Sequence, residues 1–330
     1  MRQRPLGHSG LHVSEVGYDV AAPIRAGLGE DEAVALLHQA IDLGITFLDT
    51  APTDGPFEPS HSGTEHRPVL GLDGQGEWLL GRVVRARRAD RDRLVLATKA
   101  GYRPAASPWA APARRGSPSV RLGQKDALEQ DWGRPALLAS IDRSLARLGA
   151  EPIDLLWAHN PDPDELGRDE LADFLNGQVA AGKLRAWGAA FTPAPPGAPP
   201  APHPEEPAQV ALRELRLPAV AVRYSLAAQD PGRALLDAAR VTAGSLVAMG
   251  ADAVTSERLG PLLRDRDRSM IQLALLFALA DESVASALTG ATDQRLVEAA
   301  VAGDMPALTQ DDLDLLAELH SDRPGAGPST

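Results

Sequence analysis

The chain has no cysteine. Disulfides, thiolate metal sites and a cysteine nucleophile are therefore excluded. Aromatic residues are scarce, at 4%, with three tyrosines among 330 residues. Long apolar runs are missing as well. No stretch approaches the roughly 18 apolar residues of a membrane-spanning helix. The opening M-R-Q-R-P-L-G-H-S-G lacks the apolar core of a signal sequence. A cytoplasmic protein with no membrane partner is the expectation. Positive charge is in deficit, with 33 Lys and Arg against 45 Asp and Glu, a net charge of −12. That balance argues against a nucleic-acid or anionic-membrane surface. No G-x-G-x-x-G follows a strand pattern and no G-x-S-x-G elbow occurs, so neither a Rossmann dinucleotide site nor a serine-hydrolase site is indicated.

What is present suits a large α/β domain. The length fits one α/β barrel or two ordinary domains, and 44% hydrophobic residues supply a substantial core. The bias towards Ala, Arg, Pro and Gly is that of a high-GC bacterial coding sequence. The organising stretch runs from Ile45 to Gly55, I-T-F-L-D-T-A-P-T-D-G. An apolar run ends in an acid and is followed by turn residues, which predicts a buried strand presenting Asp49 at its carboxyl end. Ahead of it, Val34, Leu37 and Ile41 recur at helical spacing over Asp31 to Gly44. Helix, glycine turn and strand make one step of a repeating α/β fold. Further steps follow, and Lys99 and His159 also close predicted strands. The pattern predicts an α/β (β/α)8 barrel over residues 1–330, whose sites belong at the carboxyl ends of its strands.

The segment H-Q-A-I-D-L-G-I-T-F-L-D-T-A resembles the aldo-keto reductase family's A-x-x-x-G-x-x-x-x-D-T-A. The run S-L-A-R-L-G-A-E-P-I-D-L-L-W-A-H resembles its S-L-x-R-L-x-x-x-x-I-D-L-x-x-x-H. The resemblance covers about the whole chain in the right order. It implies a barrel with an N-terminal hairpin, NADP(H) as cofactor, a small carbonyl substrate, and a catalytic set of Asp, Tyr, Lys and His. Asp49, Lys99 and His159 match three of these. The family's D-T-A-x-x-Y-G puts the tyrosine where this chain has Asp54. Tyr18 and Tyr102, near predicted strand ends, are the candidates to replace it, against the plainer reading that both only pack.

The cofactor positions diverge too. The family's G-x-S-N is Gly188-Ala189-Ala190-Phe191 here, and Ala221 stands where a Gln is expected. The first strand's Gly-Thr is lost as well. Tyr224 keeps the place of a ring that would stack on nicotinamide, and Arg295 and Glu298 keep an adenine-end pattern. NADP(H) binding is thus expected to be weak or absent. Three readings stay open: a family enzyme on a small carbonyl or polyoxygenated metabolite of bacterial specialised metabolism, a redox-independent dehydratase, cyclase or epimerase, and an inactive binding barrel. The sequence is silent on oligomeric state. On this reading His159 moves a proton near neutrality and Asp54 is a carboxylate base or orienting acceptor. Residues 56–75, 101–134 and 192–207 are expected as long surface loops and 321–330 as a frayed tail. The insert carries His61, Glu65, His66 and Asp73, but its His spacing fits no single helical face, which favours a solvated loop over a metal site.

Overall fold

The computed structural model describes residues 1–54, 74–104, 128–195, 198–226, 228–250, 269–301, 308–312 and 316. A hairpin of β1 (Gln3–Pro5) and β2 (His12–Ser14) opens the chain. Eight parallel strands then close into a barrel. In chain order they are β3 (Val16–Asp19), β4 (Phe47–Asp49), β5 (Val95–Ala100), β8 (Ile153–His159), β9 (Leu184–Phe191), β10 (Ala219–Arg223), β11 (Ser245–Met249) and β12 (Val284–Thr289). β12 pairs with β3 and shuts the ring. This is the (β/α)8 barrel that the repeating pattern predicts.

Period-two alternation sorts each strand into two layers. Val95 and Ala97 of β5 and Leu155 and Trp157 of β8 fill the barrel with Ala190, Ala221, Val247 and Leu288. Leu6, Leu11 and Val13 of the hairpin region plug one end of the same cluster. Leu96, Leu156, Ala189 and Val220 face outwards into the layer shared with the helices. Continuing the alternation, Lys99 follows Ala97 and His159 follows Trp157 into the barrel mouth. Buried polar groups tie the barrel to its helices. Thr98 Oγ1 donates to Glu77 Oε1 of α3 (Gln75–Ala86) at 2.6 Å. Arg147 Nε of α4 (Arg134–Leu148) donates to the other oxygen at 2.5 Å. Without Arg147, a fully buried Glu77 would lose its ion pair.

The expected loops need correction. Within 101–134, β6 (Tyr102–Pro104) and β7 (Leu128–Gln130) form an antiparallel arm, and Arg134 already opens α4. Gly101, at φ +133°, makes the turn from β5 into this arm, and Trp132 packs where a side chain would sit. Gln75 begins α3, and Glu205–Arg213 is helical, earlier than the Pro-rich run suggests. Residues 56–73, including His61, Glu65, His66 and Asp73, lie outside the described residues, as does the tail 321–330. Among the described residues no helix is long and apolar enough to cross a membrane.

Candidate active site

Asp49 closes β4, and each of its oxygens takes a different donor. Lys99 Nζ donates to Oδ2 at 2.5 Å, and Trp157 Nε1 donates to Oδ1 at 2.8 Å. Lys99 also donates to the Thr50 carbonyl at 3.0 Å. The pair is almost sealed, Asp49 being 3% and Lys99 5% exposed. Burial pushes the Asp49 pKa up, against the pull of Lys99 and the Trp157 hydrogen bond. Burial works against the Lys99 cation, but the fields of Asp49 and Asp54 outweigh it and its pKa rises. Lys99 therefore stays charged, a fixed positive centre at the barrel mouth.

Asp54 stands in the turn after β4, half-buried. Its Oδ2 accepts from Thr50 Oγ1 at 3.0 Å and from the Ala51 amide at 2.6 Å. Desolvation pushes its pKa up to about 7, while Lys99 pulls it down and Asp19 pushes it up. This departs from the carboxylate expected beside a lysine. A group divided between acid and base near neutrality is suited to move a proton in either direction.

His159 behaves differently from its sequence expectation. Burial, helped by the nearby Lys99 charge, holds its pKa well below the usual histidine value, so the ring is neutral at physiological pH. Its Nε2 lies 2.8 Å from Thr192 Oγ1. In the structure this imidazole is hydrogen-bonded to Thr192.

Asn160 follows in a left-handed conformation, φ 54°, which a non-glycine residue adopts only at a cost. Its side chain explains the conformation. Nδ2 donates to the Tyr102 hydroxyl at 3.0 Å, and Oδ1 accepts from the Thr192 amide at 2.7 Å. Gln130 Nε2 of the arm donates to the Asn160 carbonyl at 2.7 Å. Asn160 thus ties together the ends of β8 and β9 and the arm, and Tyr102 packs edge-on to His159 with centroids 5.0 Å apart. Sequence reading passed over Asn160, Thr192 and Trp157. Alternation from His159 would have found Trp157, and a polar residue directly after the strand-end histidine was the signal for Asn160.

Of the candidate replacement phenols, Tyr18 is fully buried and its hydroxyl donates to the Ala291 carbonyl at 2.6 Å, away from the site. Tyr102 lies beside the site, but burial raises its pKa, and the side chains acting on its hydroxyl are Asn160 and Gln130. Lys99 is not among the groups that shift the Tyr102 hydroxyl, whereas it does act on Asp54.

The family model for the Aldo/keto reductase family matches residues 25–251. The chain belongs to the aldo/keto reductase family. It is 36% identical to a 6-dehydroglucose reductase of Novosphingobium aromaticivorans over 186 residues, 56% of this chain and 50% of that protein. It is 30% identical to the L-glyceraldehyde 3-phosphate reductase of Escherichia coli K12 over 184 residues, 56% of this chain and 43% of that protein. The chain thus spans about half the length of these curated relatives. An aldo-keto reductase from Bacillus halodurans, in its holo form, superposes with a TM-score of 0.68 at 23% identity, over 97% of this chain and 96% of that one. That likeness is one of fold.

The family implies a nicotinamide cofactor, and the residues present fit it poorly. On the inner face of the barrel, Ala190 and Ala221 offer only methyl groups. Phe191 turns outwards into the helix layer. No side chain at these three positions can hydrogen-bond a carboxamide. The Tyr224 ring packs against Phe277, centroids 5.3 Å apart, and burial pushes its pKa up to about 12. Asp19, beside Asp49 on the neighbouring strand, pairs with Arg25, and both line a cavity of 280 Å³ at the mouth. Arg295 is exposed on the surface of α10 (Gln294–Val301). Glu298 accepts from Gln39 and Gln294, each at 3.1 Å. The structure therefore gathers Asp49, Asp54 and Lys99 and sets His159 on the next strand, with Tyr224 directly after β10 and Arg295 and Glu298 on α10.

Proposed function

We propose that the chain is an acid–base catalyst acting on the carbonyl group of a small polyoxygenated molecule, with Asp54 as the group that carries the proton. The observation behind this reading is the Asp54 carboxyl, pushed up to about 7 beside the Lys99–Asp49 pair. Relatives named for 6-dehydroglucose, L-glyceraldehyde 3-phosphate and D-threo-aldose support the substrate class. In the protonated state Asp54 gives its proton to the carbonyl oxygen, and in the ionised state it takes one from a hydroxyl. Lys99 stabilises negative charge developing on that oxygen. Asp49 and the Thr50 carbonyl hold Lys99 in place, and His159 is a neutral hydrogen-bonding wall beside it.

Family membership favours carbonyl–alcohol interconversion with NADP(H). The apolar Ala190 and Ala221 favour a second reading, in which the same groups catalyse a redox-free elimination, cyclisation or epimerisation and nicotinamide binding is weak or absent. Missing polar contacts of about 1–3 kcal/mol each would weaken that binding strongly. The test is a panel of aldoses, ketoses and hydroxy-aldehydes, assayed with NADPH and with nicotinamide rigorously removed, alongside calorimetry of NADPH binding. Asp54→Asn should lower turnover by roughly 10²-fold in either case. Turnover that requires NADPH sinks the redox-free reading, and an unimpaired Asp54→Asn enzyme sinks both.

A further inference from the structure

We propose that Trp157 is a positioning residue, its indole N–H fixing one oxygen of Asp49 so that the other faces Lys99. This rests on the proposed role of the Asp49–Lys99 pair.

The geometry is specific. Trp157 lies directly across from Lys99 in the β5–β8 register, and two residues before His159 on the same inner face. It is fully buried inside the barrel. A buried indole N–H needs an acceptor, and this one finds Asp49 Oδ1 at 2.8 Å. With Lys99 on Oδ2 at 2.5 Å, the carboxylate has a donor on each side and cannot rotate without breaking one bond. The sequence also makes room for the ring. At Gly188 of the adjoining strand, a Cβ would stand 2.7 Å from Trp157 Cζ3 and 2.5 Å from the Ala219 carbonyl oxygen. A small residue there and a large one at 157 form a matched pair beneath the site.

A leucine at 157 would fill part of this space and offer Asp49 nothing. Sealed at the barrel mouth, Asp49 is desolvated, and each donor to its anionic form counts towards keeping it ionised. The charged and titratable groups acting on it are Lys99 from β5, Asp19 from β3, itself paired with Arg25, and Asp54 from the turn after β4. Asp19 and Asp54 oppose ionisation. Lys99 and Trp157 favour it, and Trp157 is the neutral member that adds no competing charge.

The test uses the full chain with ¹⁵N-labelled indoles. Trp157→Phe identifies its resonance by loss. The expected resonance lies at low field, exchanges slowly with solvent, and moves upfield in Asp49→Ala. Should Trp157→Phe fail to fold, Asp49→Ala alone decides, because one of the five indole resonances must move. If none moves, the proposal is overturned. This readout needs no turnover, so it is separate from the fate of the proposed chemistry. With DL-glyceraldehyde and NADPH as the probe reaction, Trp157→Phe should lower kcat about tenfold with little change in KM. The acid limb of its pH profile should move up by about one pH unit, since the lost donor favoured the anion. A lower Tm with an unmoved acid limb would assign Trp157 a packing role and overturn the proposal.

Discussion

Gly76 brings the start of α3 against Asp54. A Cβ at this position would lie 2.3 Å from Thr50 Oγ1 and 3.3 Å from Asp54 Oδ2. Thr50 and Asp54 are themselves hydrogen-bonded at 3.0 Å, so the added methyl pushes on both partners of one contact. Helix propensity alone would favour Ala over Gly here by up to about 1 kcal/mol. Overpacking costs about 1–3 kcal/mol and should win. Gly76→Ala is expected to lower Tm in thermal unfolding and to reduce turnover by displacing Asp54.

Asp54 also couples stability to pH. Its folded-state pKa, about 7, lies above the ordinary value of 3.8. The folded state therefore holds this proton more tightly than the unfolded chain. The stabilisation is full below about pH 4 and is lost as pH rises through 7. Asp54→Asn keeps an oxygen that can accept from Thr50 and Ala51 and removes the desolvated charge. Its Tm should exceed that of the wild type at pH 8, and the difference should fade towards pH 4. An equal difference at both values would count against the raised pKa.

Lys99→Met should abolish most activity, by roughly 10²-fold or more, because it removes the fixed cation facing the reacting oxygen. It also leaves Asp49 buried with only Trp157 as donor, which costs about 3–5 kcal/mol if the carboxylate stays ionised. Asp49→Asn in the same background should recover part of that stability without restoring activity. Denaturant melts and steady-state rates of the single and double variants check both halves.

Asn160→Gly separates strain from bonding. The left-handed backbone at φ 54° is easy for glycine, so the change relieves local strain. It also strips the hydrogen bonds to Tyr102 and the Thr192 amide. Two bonds at about 1 kcal/mol each outweigh the relief, and net destabilisation is expected. Hydrogen exchange should show the arm amides, Tyr102–Pro104 and Leu128–Gln130, opening more readily, with the barrel strands unchanged.

The barrel and much of the site could be read from sequence because both rest on short-range pattern. An apolar run closing in Asp49, and alternation carrying Lys99 and His159 to strand ends, need no tertiary knowledge. What escaped depends on distant partners. The Asn160–Tyr102 bond spans 58 positions and crosses an arm whose pairing no local pattern announces. The Asp54 pKa is set by desolvation, which no motif reports. Tyr224 keeps its motif, and what the motif does not report is that Phe277 and Gly232, from two helices that follow it, pack on it. His159 has a histidine's ordinary pKa only outside this barrel, where burial and Lys99 do not act on it.

The central claim is that Asp54 holds a proton near neutrality. The direct measurement is a ¹³C carboxyl NMR titration of the aspartates, comparing wild type with Asp54→Asn. One carboxyl resonance should titrate near pH 7 in the wild type and be missing from Asp54→Asn. If Asp54 titrates with the surface carboxylates, near pH 4, the claim is contradicted.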